Sequence, residues 1–108
     1  MKVVFAGTPE FSAFHLKLLL NSEHKICQVI TQPDRKSGRG NKIKGSEVKA
    51  LAVENNISFL QPSSFRANKD AISILEEESP DIILVVAFGL ILPKEVLRIP
   101  RLGCINVH

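Results

Sequence analysis

The chain has 108 residues, of which 44% are hydrophobic and 23% are charged, which is typical of one small soluble globular domain. Its longest apolar run, residues 82–88, is far too short to cross a bilayer, so we expect no membrane protein. The first residues lead directly into an apolar strand rather than a leader peptide, and Cys27 and Cys104 lack metal-ligand or redox spacing. These features predict a cytoplasmic protein with reduced core cysteines and no metal site.

The basic charge is concentrated in one segment, residues 35–44. It contains no acidic residue, because all eleven acidic residues lie elsewhere in the chain. It contains five of the fourteen basic residues: Arg35, Lys36, Arg39, Lys42 and Lys44. A solvated charged loop and a contact for RNA phosphates both fit this pattern. Because the segment has no aromatic residue, base stacking is not expected there.

Near the start of the chain, the pattern predicts a strand followed by a helix. Residues 2–6 are short and β-branched and end at Gly7; Thr8 is suited to cap the helix and Pro9 to occupy its first turn. The apolar side chains then fall on two adjacent stripes, which fits a helix packed against a sheet: Phe11, Phe14 and Leu18, and Ala13, Leu16 and Leu20.

Strands and helices alternate along the rest of the chain. We predict strands at residues 25–31, 57–60, 82–88 and 103–108, and a long loop over residues 32–45. Ser46 and Asn68 are predicted to cap two further helices, and a short helix is predicted over residues 93–98. Such alternation predicts a single Rossmann-like α/β domain, a doubly wound parallel sheet of five strands in the order 3-2-1-4-5.

In such a sheet, ligands bind outside the carboxyl ends of the strands, where residues 7–9, 88–90 and 106–108 are expected to converge. The residues Asn106 and His108 stand two apart on the last strand and therefore share a face. One interpretation is that both are strand-end residues whose side chains form hydrogen bonds with loop backbone. An amide and an imidazole that stabilise an oxyanion and move protons are the other.

A dinucleotide site is disfavoured. The turn after the first strand reads AGTPEF, with a single glycine, and Pro9 has no N–H to offer a pyrophosphate.

Four stretches of the chain match a known family in order. FAGTPEF at 5–11, TQPDR with GRG within 31–40, VVAFGLILP at 85–93 and PRLGCINVH at 100–108 resemble the N-terminal formyltransferase domain of the methionyl-tRNA formyltransferases. The resemblance covers the whole chain. It implies a monomeric bacterial transferase that moves the formyl group of 10-formyltetrahydrofolate to the α-amino group of methionine on initiator tRNA, in translation initiation.

The resemblance also assigns roles to residues. Asn106 and His108 match the catalytic amide and imidazole of the family. A segment that wraps the pterin is matched by Phe88, Gly89, Leu90, Ile91 and Leu92. The loop from Asp34 to Gly45, which contains the basic segment, matches an insertion that contacts the tRNA acceptor arm, with Arg39 in the GRG turn as its foremost residue.

The family continues beyond the residue that matches His108. A Ser-Leu-Leu-Pro segment completes its folate site, and a catalytic aspartate, further sheet and a C-terminal tRNA-binding barrel follow. We therefore expect an incomplete formyltransferase fold in these 108 residues and little or no activity of the chain alone. A weak RNA- or folate-binding module and a non-functional fragment that associates through its last strand are the alternatives.

Overall fold

A five-stranded parallel sheet forms the centre of the computed structural model, which describes residues 1–37, 40 and 42–107. In chain order, the elements of the described residues are β1 (Lys2–Gly7), α1 (Glu10–Leu20), β2 (Lys25–Ile30), β3 (Arg35–Ser37), β4 (Lys42–Lys44), α2 (Glu47–Glu54), β5 (Phe59–Leu60), α3 (Lys69–Glu78), β6 (Ile82–Val86), α4 (Lys94–Leu97) and β7 (Cys104–Val107). The strands of the sheet lie in the order β5-β2-β1-β6-β7. This order confirms the predicted doubly wound topology.

The core has two layers because side chains of a strand alternate between the faces of the sheet. Val3 and Phe5 of the central strand β1 pack under α1 and α2 on one face, whereas Val4 and Ala6 pack under α3 and α4 on the other. A strand buried on both faces needs an uninterrupted apolar sequence, which β1 and β6 both have.

Only one of the two predicted apolar stripes of α1 packs against the sheet. Ala13 and Leu16 are buried, but Phe11, Phe14 and Leu18 are 53%, 61% and 56% exposed. A helix turns a stripe about 100° wide toward its sheet, and in α1 this is the stripe with the smaller side chains, which contains Ala13 and Leu16. The expectation that the broad apolar surface as a whole packs on the sheet is therefore wrong.

The segment of residues 32–45 is not a plain loop, as its lack of hydrophobic period suggested. β3 and β4 pair in antiparallel register, with Arg35 opposite Lys44 and Lys36 opposite Ile43. Backbone hydrogen bonds hold this two-stranded sheet, which we call the basic hairpin, and Ile43 is exposed on it. A hairpin that buries no apolar face leaves no alternating hydrophobic pattern, so periodicity misses it.

Two of the three predicted helix caps are confirmed. Ser46 Oγ accepts from the Lys49 N–H at 3.0 Å, and Asn68 Oδ1 accepts from the Ala71 N–H at 3.2 Å. The prediction for Thr8 is wrong, because Pro9 is the N-cap of α1 and no side chain caps it. The Thr8 hydroxyl is used elsewhere, at the end of β6.

Most predicted boundaries differ by one or two residues from the observed ones. β5 begins two residues later than predicted, and β6 ends two residues earlier. α4 is one residue shorter at each end. The predicted final strand, residues 103–108, is observed as Cys104–Val107, with His108 outside the described residues. In the part of the chain that the structure describes, no helix has the length and apolar character needed to span a membrane.

Leu16→Ala is expected to lower the free energy of unfolding by about 3 kcal/mol, because it opens a cavity under α1 in a site with no solvent exposure. Leu18→Ala, on the exposed side of the same helix, is the matched control and should cost less than about 1 kcal/mol. Chemical denaturation of both variants measures the difference. Equal losses would contradict the assignment of the buried stripe.

The buried thiol of Cys27 should be chemically inert in the folded chain. Burial raises its pKa to about 11, so very little thiolate exists at mildly alkaline pH. In a Cys104→Ser background, we expect a disulfide reagent to modify Cys27 roughly 100-fold or more slowly in the native chain than in denaturant. Comparable rates would show that this face of the sheet opens readily.

Candidate active site

The carboxyl ends of three strands form one edge of the sheet. Gly7 of β1 pairs with Val86 of β6, and Val86 pairs with Val107 of β7, so the three strands end at one level. A cleft of about 440 Å³ opens at this edge, between the start of α1 and the loop that follows β6. It is lined by Phe11, Val85, Ala87, Phe88, Gly89, Leu90, Ile91, Asn106 and Val107.

Asn106 is the polar side chain of β7 at this cleft. It pairs in register with Val85 of β6 and is exposed. Its amide can donate a hydrogen bond to an oxygen in the cleft, as the sequence interpretation requires. The predicted partner His108 lies outside the described residues.

The loop of residues 88–92 approaches the cleft with its backbone. Ala87 and Gly89 both have positive φ, at 50° and 89°. The Phe88 side chain is buried, with its ring 6.4 Å from that of Phe65. Phe88 therefore anchors the loop to the core through its side chain.

The other members of the predicted folate segment divide between surface and core. Gly89, Leu90 and Ile91 line the cleft, and Ile91 is 88% exposed. Leu90 and Leu92 are partly buried and pack on the core cluster beneath α3 and α4, so Leu90 contacts both the core and the cleft. A loop held by its even members and open at its odd members can bind a flat ligand through backbone groups and apolar side chains.

The carbonyl of Phe88 is held by two side chains to which the sequence analysis did not assign this contact. Gln32 Nε2 donates to it at 2.9 Å and Thr8 Oγ1 donates at 3.2 Å. The Gln32 N–H in turn donates to Thr8 Oγ1 at 3.3 Å. The three residues are far apart in sequence, and their only shared signal is that each follows a strand of the sheet.

A second, larger cleft lies on the other side of the same loop. It has a volume of about 720 Å³ and lies between the loop and the start of α3; its lining includes Phe65, Arg66, Lys69, Ile72, Leu90 and Ile91. Glu95 also lines this cleft. Apolar walls with two cationic side chains and one acidic one suit an elongated ligand that has an aromatic body and an anionic end.

The basic hairpin places most of the predicted RNA-binding residues on the surface. The side chains of Arg35, Lys36, Lys42 and Lys44 are exposed, and Arg39 lies outside the described residues. Arg35 stands directly opposite Lys44, an arrangement of like charges that is unfavourable unless an anion neutralises it. The two cations line a small cleft of about 270 Å³ together with Thr8, Gln32 and Ser46, and the acidic residues Glu10 and Glu47 line the same cleft.

An ion pair ties the base of the hairpin to α2. Lys49 Nζ lies 2.8 Å from Asp34 Oδ2, and Gln61 Nε2 donates to Asp34 Oδ1 at 2.6 Å. The hydrogen bond from Lys49, followed by that from Gln61, lowers the pKa of Asp34 below its ordinary value. The carboxylate thus stays ionised at neutral pH, and this anchoring would be lost only as the pH falls through the lowered pKa.

Among residues 1–37, 40 and 42–107, no group of three or more His, Cys, Asp or Glu side chains is arranged to hold a metal ion.

The hydroxyl of Ser12, at the start of α1 beside the cleft, is buried. It donates to the Val86 carbonyl, so it serves the packing of α1 on β6.

Comparison with known proteins identifies relatives along the entire chain. The family model described as formyl transferase matches residues 1–108. A methionyl-tRNA formyltransferase of Pseudomonas fluorescens (strain Pf0-1) is 59% identical over 108 residues, which are 100% of this chain and 34% of that protein. One of Pseudoalteromonas translucida (strain TAC 125) is 54% identical over the same length, 33% of that protein. The chain thus spans about a third of the length of these relatives.

A solved structure supports the fold independently. The crystal structure of a phosphoribosylglycinamide formyltransferase from Anaplasma phagocytophilum superposes with a TM-score of 0.69 at 17% identity, over 100% of this chain and 49% of that one. At this identity the likeness concerns the fold alone, and it includes the parallel sheet whose edge carries the cleft. Because the family model spans all 108 residues, the chain belongs to the formyl transferase family.

Proposed function

We propose that this chain forms the donor-binding and oxyanion-stabilising part of a methionyl-tRNA formyltransferase. The complete reaction moves a formyl group from 10-formyltetrahydrofolate to the α-amino group of methionine on initiator tRNA. The observation that carries the proposal is the position of Asn106 beside the loop of residues 88–92 in one cleft of a formyl transferase domain. Since charged initiator tRNA is the acceptor, the proposal also assigns the chain to the bacterial cytoplasm. The family resemblance adds that the whole protein acts as a monomer.

The chemistry needs a hydrogen-bond donor at the formyl oxygen. When the free amine attacks the formyl carbon, a C–N bond forms and the carbonyl oxygen becomes an oxyanion. Collapse of this tetrahedral species breaks the bond to the donor nitrogen, which takes up a proton as the amine loses one. We assign the Asn106 amide to the oxyanion, and assign His108, by its match to the family, to the proton transfers.

The two clefts beside the loop fit a folate-type co-substrate. The smaller cleft offers loop backbone and the side chains of Leu90 and Ile91 next to Asn106, which suits the pterin and the reacting formyl group. The larger cleft offers apolar walls with Arg66 and Lys69, which outnumber the one acidic residue there, Glu95, and suit the benzoyl-glutamate tail. Phe88, Gly89 and Leu92 contribute the frame of the loop that separates the two clefts.

The basic hairpin is assigned to the tRNA acceptor arm. Its exposed cations, with Arg39 added from the family match, supply phosphate contacts that give affinity without reading sequence. The unfavourable pairing of Arg35 with Lys44 supports an anionic ligand, since a phosphate between them removes the repulsion.

The 108-residue chain is expected to show no measurable turnover, because the family's Ser-Leu-Leu-Pro segment and catalytic aspartate are not among its residues. Joined to the part of the Pseudomonas fluorescens relative that lies beyond the matched third, it should transfer formyl groups to methionyl-tRNA. Asn106→Ala in that chimera should lower kcat by roughly 100- to 1,000-fold, the usual effect of losing one oxyanion donor. Asn21→Ala, which removes an exposed amide at the far end of α1, is the control.

Two results would contradict this assignment. Turnover by the 108 residues alone would show that the site is complete without the further segments. An unchanged kcat in the Asn106→Ala chimera would remove the amide from the chemistry.

The chain alone should bind an acceptor-stem RNA minihelix weakly, with an affinity that falls steeply as salt rises. Lys42→Ala and Lys44→Ala should each reduce the slope of log affinity against log salt by about 1, because each removes one phosphate contact. Lys25→Ala, an exposed cation at the opposite end of the sheet, is the matched control. A binding module without catalysis would show this binding and stay inactive in the chimera, whereas salt-independent binding would exclude the hairpin as the RNA contact.

A further inference from the structure

We propose that Gln32 is a positioning residue that couples the basic hairpin to the loop of residues 88–92, so that an anion bound at Arg35 strengthens co-substrate binding at the loop. The inference rests on the proposed function for the identity of the two ligands. The coupling itself rests on contacts among Gln32, Arg35 and the Phe88 carbonyl.

The first contact fixes the loop. The Phe88 carbonyl accepts from Gln32 Nε2 and from the Thr8 hydroxyl, at the point where the chain passes through two residues with positive φ. Gly89 lies so close to the Gln32 amide that a Cβ at this position would collide with it. The direction in which Gly89, Leu90 and Ile91 leave the sheet therefore depends on where the Gln32 side chain stands.

The second contact fixes the orientation of the Gln32 amide. The guanidinium of Arg35 donates to Gln32 Oε1, and a guanidinium has no acceptor. The oxygen end of the amide must then face Arg35, which leaves the N–H₂ end for the Phe88 carbonyl. With the amide reversed, two oxygens would meet at Phe88 and two donors at Arg35.

The backbone of Gln32 is already held by other groups. Its N–H donates to Thr8 Oγ1 at 3.3 Å, and its carbonyl accepts from Gln61 Nε2 at 3.3 Å. The freedom that remains is in the side chain, and Arg35 restricts that freedom. A change at the hairpin thus reaches the loop through one amide.

Arg35 is available to an external anion. It is exposed at the edge of the hairpin, opposite Lys44. A guanidinium has five N–H donors, and one nitrogen of Arg35 donates to the Gln32 oxygen, so donors remain for an anion. A phosphate on Arg35 and Lys44 holds the guanidinium in place and so holds the amide with its donor end toward Phe88. By linkage, co-substrate binding must strengthen RNA binding by the same factor.

The linkage is tested first without ligands, on the 108-residue chain, by the backbone amide resonances of Gly89 and Leu90. Gln32→Glu keeps the shape and the acceptor for Arg35 but removes the donor to Phe88, so both resonances should shift and their hydrogen exchange should accelerate. Arg35→Ala should shift the same two resonances, although Arg35 does not touch the loop. Lys36→Ala, the next cation on the hairpin, should leave them unchanged. Unchanged Gly89 and Leu90 resonances in Arg35→Ala would overturn the proposal.

The coupling is then measured with tetrahydrofolate and an acceptor-stem RNA minihelix. In the wild type, saturating minihelix should raise tetrahydrofolate affinity by a factor of about 5 or more, in the range of ordinary allosteric couplings. The factor should fall to about 1 in Gln32→Glu and in Arg35→Ala. Thr8→Val, which removes only the other donor to Phe88, should weaken tetrahydrofolate binding and keep the factor.

The outcomes separate the two proposals. An undiminished factor in Gln32→Glu would overturn the role of Gln32 while leaving the proposed function intact. If the wild type binds neither probe, the proposed function of the chain fails, and the ligand-free resonances still decide whether Arg35 controls the loop through Gln32.

Discussion

The structure depends on the burial of β1 on both of its faces. Val3 and Phe5 point to one face of the sheet and Val4 and Ala6 to the other, so both sides must be covered. The helices that cover them connect strands that run parallel to β1. Parallel strands end at the same edge, and this geometry brings the ends of β1, β6 and β7 together. The cleft exists at that edge because the central strand cannot be exposed on either face.

The cleft is built largely from backbone and neutral side chains. Phe88 is buried as an anchor and Gly89 supplies a positive φ, so the loop between the two clefts presents peptide groups and aliphatic side chains. Among the described residues, none that lines the cleft of Asn106 is charged. The charged residues line the other two clefts: Arg35, Lys44, Glu10 and Glu47 at the basic hairpin, and Arg66, Lys69 and Glu95 at the start of α3. This division agrees with the proposed function, in which cationic side chains bind anionic ligands and the polar amide of Asn106 stabilises the developing charge.

Gln32 illustrates how a motif residue acquires a role through contacts that its sequence position does not suggest. Within TQPDR it stands between the end of β2 and the hairpin, where a polar residue would ordinarily be solvated. In the folded chain its two amide ends meet a carbonyl 56 residues away and a guanidinium three residues away. The physical reason is that an amide has a donor end and an acceptor end. The N–H₂ end can bond only to an acceptor, here the carbonyl, and the oxygen end only to a donor, here the guanidinium.

The sequence by itself determined the strand order, two of the helix caps and the candidate residues of the cleft, because apolar period, capping chemistry and family motifs are local properties of the chain. Tertiary structure decided what local properties do not contain. The packing of Ala13 and Leu16 left Phe11, Phe14 and Leu18 exposed, and the hairpin formed from a segment with no hydrophobic period. The Thr8 hydroxyl does not cap α1 as expected but donates to the Phe88 carbonyl, since only the folded sheet brings a residue after β1 beside a residue after β6.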